Sequence, residues 1–69
     1  MYETINKEAE KRGISVRRLE KAAGLGNGTI SGWKESSPNL DTLERVADAL
    51  GMNVTTLISR AKKAEKEES

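Results

Sequence analysis

Residues 15–33 read Ser-Val-Arg-Arg-Leu-Glu-Lys-Ala-Ala-Gly-Leu-Gly-Asn-Gly-Thr-Ile-Ser-Gly-Trp, and this stretch decides the fold. The apolar residues of its first half recur at the spacing of a helix: Val16, Leu19, Ala22 and Ala23. Gly24 and Gly26 then break the pattern, and Ile30 and Trp33 follow three residues apart. Two short helices joined by a glycine turn form a helix-turn-helix unit. The second helix of such a unit has the size and shape to enter a DNA major groove.

The sequence on either side of this unit predicts further helices. Five helices are expected in total, over residues 2–12, 16–23, 27–34, 40–50 and from residue 54 onward. The third helix is expected to begin at Gly26 or Asn27. Polar side chains that can cap free amides precede three of them: Ser15, Asn39 and Asn53. Glycines stand at three predicted helix ends: Gly13, Gly24 and Gly51. The fold class is therefore predicted to be an all-α, five-helix domain.

Apolar positions define the expected core. The helix over residues 40–50 presents one apolar face, formed by Leu40, Leu43, Val46, Ala47 and Leu50. Ile30 and Trp33 are expected to anchor the second helix of the helix-turn-helix unit to the same core. Trp33 is the single tryptophan of the chain, and its spacing from Ile30 favours a packing role over stacking on a base.

Length and composition limit the classes of function. The chain has 69 residues, the size of one small domain, with residues 1–59 as the domain and residues 60–69 as a charged helical or disordered tail. It contains no cysteine and no histidine, so thiolate and imidazole metal ligands are absent. It also has no phosphate-loop signature. We therefore expect no metal, no cofactor, no evident small-molecule site and no enzymatic activity.

Hydropathy points to a soluble protein. No apolar run approaches the about 20 residues that a membrane span requires. The N-terminal residues are charged and lack the apolar core of a signal peptide. We expect a cytoplasmic protein, associated with the nucleoid, that has no membrane partner.

The charge is unevenly distributed although the net charge is only +1. Residues 15–34 carry four basic residues and one acidic residue, whereas residues 35–59 carry one basic and four acidic residues. A basic excess on the helix-turn-helix unit suits a surface that faces DNA. Ordinary solvated surface charge explains the same distribution equally well.

The motifs together resemble the lambda-repressor-like, Cro-type (XRE) family of DNA-binding domains. The resemblance lies in Ser15 and Leu19, in the run from Leu25 to Trp33, in Pro38, and in the apolar pattern from Leu40 to Ile58. It spans about residues 2–58 and implies a sequence-specific double-stranded DNA-binding protein, most simply a transcriptional repressor that binds an operator as a homodimer. The alternative is a protein-interaction module on the same fold, an antitoxin or regulator partner with weak DNA binding.

The resemblance, together with side-chain chemistry, assigns candidate DNA contacts. The residues expected at the bases are Asn27, Gly28, Thr29, Ser31 and Gly32. The residues expected at the phosphates are Val16, Arg17, Arg18, Lys34, Ser36, Ser37 and Asn39.

Several of these candidates have a second interpretation. The Asn27 amide is suited to adenine, but Asn27 is equally a cap or turn residue between two glycines. The absence of side chains at Gly28 and Gly32 would let the helix lie close to DNA. Alternatively, Gly28 belongs to the turn and Gly32 is merely tolerated.

Overall fold

The computed structural model describes the backbone of residues 1–68 and the side chains of residues 1–63. Over that range it contains four α-helices and no strand: α1 (Tyr2–Lys11), α2 (Val16–Ala22), α3 (Leu40–Leu50) and α4 (Val54–Glu68). A four-residue 3-10 helix, Ser31–Lys34, lies between α2 and α3. The all-α prediction is confirmed. The count of five helices is slightly wrong, because the third predicted helix is a turn followed by this 3-10 helix.

Two of the helices begin at the capping residues that the sequence predicts. The Ser15 hydroxyl accepts a hydrogen bond from the Arg18 amide at 3.1 Å at the start of α2. The Asn39 side chain accepts one from the Thr42 amide at 2.8 Å at the start of α3. Each cap satisfies an amide that has no partner inside its own helix, which stabilises a helix end by about 1 kcal/mol.

A single core connects all the elements. Its buried apolar side chains are Ile5, Ala9, Leu19, Ala23, Ile30, Trp33, Leu43, Val46, Ala47, Leu50 and Leu57. The prediction that Ile30 and Trp33 face the core is therefore confirmed. The prediction for Leu40 is wrong, because its side chain is 58% exposed. Leu40 is the first residue of α3, and Cα–Cβ bonds tilt toward the N-terminus of a helix, so its side chain projects past the packed part.

A buried carboxylate joins three of the helices. Glu8 of α1 is 3% exposed and accepts hydrogen bonds from Arg12 at 2.9 Å and from Arg60 of α4 at 2.6 Å. Lys11 lies 3.3 Å from its second oxygen. Arg12 also donates to the carbonyl of Leu50, the last residue of α3, at 2.6 Å. The Glu8 cluster, meaning Glu8 with Lys11, Arg12 and Arg60, thus links α1 to the end of α3 and to α4.

The surroundings of Glu8 change its acidity. Burial raises the pKa of the Glu8 carboxyl, but the hydrogen bonds from Arg12 and Lys11 and the positive charge of Arg60 lower it by more. The pKa of Glu8 therefore lies below its ordinary value of 4.5, and the carboxylate is ionised at neutral pH.

Helix α4 continues across the position where the charged tail is predicted to begin. Arg60 reaches Glu8 and Ala61 is buried, so both residues pack with the domain. The side chains of residues 64–69 lie outside the described residues, and the division of the chain into a domain and a tail stays a prediction. No helix in the described part of the chain has both the length and the apolar character needed to cross a membrane.

Candidate nucleic-acid interface

The turn after α2 is organised by the side chain of Glu20. This residue belongs to α2 and is only 4% exposed. One oxygen of its carboxylate accepts a hydrogen bond from the Ile30 amide at 2.8 Å, and the other accepts one from the Gly28 amide at 3.3 Å. Its backbone carbonyl accepts from the Leu25 amide at 2.8 Å. One residue of α2 therefore contacts the turn at three points.

This arrangement explains why residues 27–34 do not form an α-helix. Gly28 has φ +87°, a left-handed conformation that glycine adopts readily and other residues disfavour. The Gly28 and Ile30 amides are occupied by the Glu20 carboxylate. Regular 3-10 structure then begins at Ser31, where the Trp33 amide donates to the Ile30 carbonyl at 3.0 Å. We refer to residues 27–34 as the 27–34 segment.

The 27–34 segment presents polar atoms to solvent while two side chains anchor it. Ile30 and Trp33 are buried, whereas the predicted base-contacting residues Asn27, Gly28, Ser31 and Gly32 are exposed and Thr29 is half-buried. A Cβ atom added at Gly32 would meet no atom within 4 Å. The backbone of the segment can therefore approach a flat partner closely at this point.

One depression joins α2 to the 27–34 segment. It has a volume of about 310 Å³ and is lined by Arg17, Glu20, Lys21, Leu25 and Asn27. Within the described side chains, no carboxylate lies within 4.0 Å of Arg17 or Lys21. Both cations are exposed and stand beside the amide of Asn27.

The sequence that forms this surface lies within a match to a known family of domains. A model of the Cro/C1-type HTH DNA-binding domain family matches residues 4–63. The chain belongs to this family. No curated protein and no solved structure matches the chain with significant similarity. The matched span contains α2, the 27–34 segment, α3 and all but the first two residues of α1, so the resemblance inferred from the motifs is confirmed. The family is one of DNA-binding rather than catalytic domains.

Two residues at the candidate interface of this Cro/C1-type domain, Lys21 and Glu20, are not among the candidates predicted from the sequence. Lys21 lines the depression with Arg17, and its position four residues after Arg17 in α2 is a signal that was available in the sequence. The role of Glu20 had no such signal, because its partners lie 8 and 10 residues further along the chain. From sequence, Glu20 counts only as a negative charge.

The remaining candidate phosphate contacts of α2 lie outside the depression. Arg18 is exposed and does not line the depression. Val16 is half-buried and packs against the core. The structure therefore brings Arg17, but neither Arg18 nor Val16, together with Asn27.

Several candidate residues at the end of the 27–34 segment and in the loop after it make local contacts within the domain. The Lys34 ammonium lies 4.7 Å from the centre of the Tyr2 ring, a cation–π contact with α1. The Ser36 hydroxyl donates to the Gly32 carbonyl at 3.1 Å, and Asn39 caps α3. Ser37 is exposed. Contacts of these residues with DNA stay predictions.

Proposed function

We propose that this Cro/C1-type domain binds a specific sequence of double-stranded DNA and acts as a transcriptional repressor in the cytoplasm, at the nucleoid. One observation carries the proposal: Arg17 and Lys21 of α2 line the same depression as Asn27 at the start of the 27–34 segment. Cations that neutralise phosphates then stand beside a side chain able to read a base.

The side-chain chemistry of these residues assigns them different roles in DNA binding. Arg17 and Lys21 neutralise phosphates, which supplies affinity for any DNA sequence. The Asn27 amide donates and accepts at the edge of adenine, and Ser31 is small enough to contact a base or phosphate at close range. Ile30 and Trp33 hold the segment to the core, so these polar groups are presented on a rigid support.

The proposed active form is a homodimer on a two-fold symmetric operator. A single 27–34 segment is short and contacts few base pairs. Two copies related by two-fold symmetry would read two half-sites about one helical turn apart. A dimer neutralises twice as many phosphates as a single chain, so its affinity for DNA falls more steeply with salt concentration.

A protein-interaction role has one observation in its favour. No arginine, lysine or glutamine occurs between Asn27 and Trp33, although these residue types make many of the contacts to bases. An antitoxin or regulator partner on this fold would retain only weak DNA binding.

Selection of bound sequences from random duplex DNA tests the proposal. We expect a two-fold symmetric consensus, and on that consensus a mobility-shift titration should show two chains per duplex and steep loss of affinity with salt. A pool that stays random after selection, with only weak binding at low salt, would contradict sequence-specific recognition and support the protein-interaction alternative.

A further inference from the structure

Glu20 lines the depression of the proposed DNA-binding surface, but almost all of its side chain is covered. Its side chain is in α2, it is 4% exposed, and its two carboxylate oxygens accept from the amides of Gly28 and Ile30. Because it is buried, the carboxylate is not placed to touch a base or a phosphate. Glu20 can therefore act on DNA in two ways: through its negative charge, which affects all DNA sequences alike, and through the backbone that it holds, which affects sequence preference.

The carboxylate and the two amides require each other. A buried carboxylate is costly unless it is hydrogen-bonded, and the buried Ile30 amide would be costly without a partner; the Gly28 amide is only partly buried. Bonds from amides to a charged acceptor are stronger than bonds between neutral groups. The position of the Glu20 side chain on α2 therefore fixes where the backbone of residues 28–30 lies.

The two amides lie between Asn27 and Ser31, the residues proposed to read bases. Asn27 directly precedes Gly28, and Ser31 directly follows Ile30. A shift of the backbone between residues 28 and 30 would move both side chains relative to α2. Arg17 and Lys21 belong to α2 itself and would keep their places.

We infer that Glu20 is a positioning residue for DNA recognition, which sets the orientation in which Asn27 and Ser31 meet the bases without touching DNA itself. This inference rests on the proposed function. It assigns sequence discrimination to the Glu20 contact and general DNA affinity to the cations of α2.

The test compares Glu20→Gln and Glu20→Ala with the parent, and uses Glu44→Gln as the control because Glu44 is an exposed carboxylate of α3. The ratio of operator affinity to random-duplex affinity should fall about tenfold in Glu20→Ala, the scale of one misplaced base contact. Affinity for random duplex should not fall, because the phosphate contacts remain and the substitution removes a negative charge beside them. Glu20→Gln retains one acceptor oxygen and should recover part of the ratio.

Backbone amide NMR spectra of the free proteins give a second readout. The Gly28 and Ile30 signals should shift in Glu20→Ala, shift less in Glu20→Gln and stay unchanged in Glu44→Gln. In an Asn27→Ala background, Glu20→Gln should lower the affinity ratio by a smaller factor, since the contact that it positions is gone.

Three results would overturn the inference. One is a folded Glu20→Ala or Glu20→Gln variant with displaced amides and an unchanged affinity ratio. Another is an equal loss of operator and random-duplex affinity, which would indicate a purely structural role. The third is full additivity with Asn27→Ala. A parent chain that selects no sequence contradicts the proposed function itself and is recognised before any variant is made.

Discussion

Asn27 is exposed and stands immediately before the left-handed Gly28, beside two cations of α2. We expect Asn27→Ala to relax the preference at one base pair of each half-site, at a cost of about 1–3 kcal/mol in discrimination. Affinity for random duplex should change little. Selection from random duplex with parent and variant measures this, with Thr56→Ala on the exposed side of α4 as the control. An identical consensus with identical spread would leave Asn27 as a turn residue only.

Arg17 is predicted to contribute equally to the affinity for every DNA sequence. Each phosphate neutralised contributes about −0.9 to the slope of log affinity against log salt concentration. Arg17→Ala should therefore flatten that slope by roughly one unit per bound subunit and weaken operator and random duplex equally. Lys7→Ala removes the same charge from the exposed surface of α1 and should leave the slope unchanged. A parental slope in Arg17→Ala would remove this residue from the phosphate contacts.

At the scale of single residues, the sequence predicts contacts that are local and misses those that are distant. Ser15 and Asn39 bond amides three residues ahead, so the cap pattern identifies both. Glu20 and Glu8 bond partners up to 10 and 52 residues away. The periodicity of α1 and α2 places both carboxylates among ordinary surface charges, and only the folded chain shows them buried.

The 27–34 segment shows the same limit at the scale of an element. Ile30 and Trp33 are three residues apart, a spacing that fits one face of an α-helix and also the three residues per turn of a 3-10 helix. The spacing therefore predicts the anchoring correctly and cannot decide the type of helix. The left-handed Gly28 and the bonds to Glu20 keep residues 27–30 out of the helix, which leaves only the four residues Ser31–Lys34.

Glycine substitutions in and near the 27–34 segment distinguish effects on the stability of the fold from effects on the close approach of DNA. Gly32 has an ordinary backbone conformation and open space around its Cβ position, so Gly32→Ala should stabilise the fold by about 0.4–1 kcal/mol. Operator affinity should fall if the segment lies against DNA at this point. Gly24→Ala is the contrasting variant, since φ +73° there makes alanine strained and should lower stability by about 1 kcal/mol or more.

Melting temperature and operator affinity, measured on one preparation of each variant, check this prediction. A Gly32→Ala protein that is stabilised and binds with parental affinity would contradict close approach. A destabilised Gly32→Ala protein would contradict the conformation described for the 3-10 helix.

At the scale of the whole molecule, the Glu8 cluster should contribute to the response to acid. The pKa of Glu8 is lowered in the folded state, so its contribution to the free energy of unfolding is complete above the ordinary value of 4.5 and is lost as the pH falls through the lowered value. At neutral pH, Glu8→Gln should reduce the free energy of unfolding by about 1–3 kcal/mol, because Arg12 and Arg60 lose a buried charged acceptor.

Chemical unfolding of parent and Glu8→Gln between neutral pH and pH 3 measures this difference. The gap between the two curves should narrow as the pH falls below 4.5. Glu10→Gln changes an exposed carboxylate of the same helix and should follow the parent. A gap that stays constant over this range would show that the Glu8 charge contributes no pH dependence.

Trp33 gives the molecule an intrinsic optical reporter at its proposed recognition surface. It is the single tryptophan of the chain, is 7% exposed, and lies inside the 27–34 segment. Its fluorescence therefore follows the environment of that segment, whereas far-UV circular dichroism is dominated by the four α-helices. Superimposable melting curves from the two signals mean that the segment and the helices unfold as one cooperative unit. A fluorescence transition at a lower temperature than the circular dichroism transition means that the segment detaches from a domain that is still helical. The tryptophan of the chain therefore distinguishes these two modes of unfolding without an attached dye.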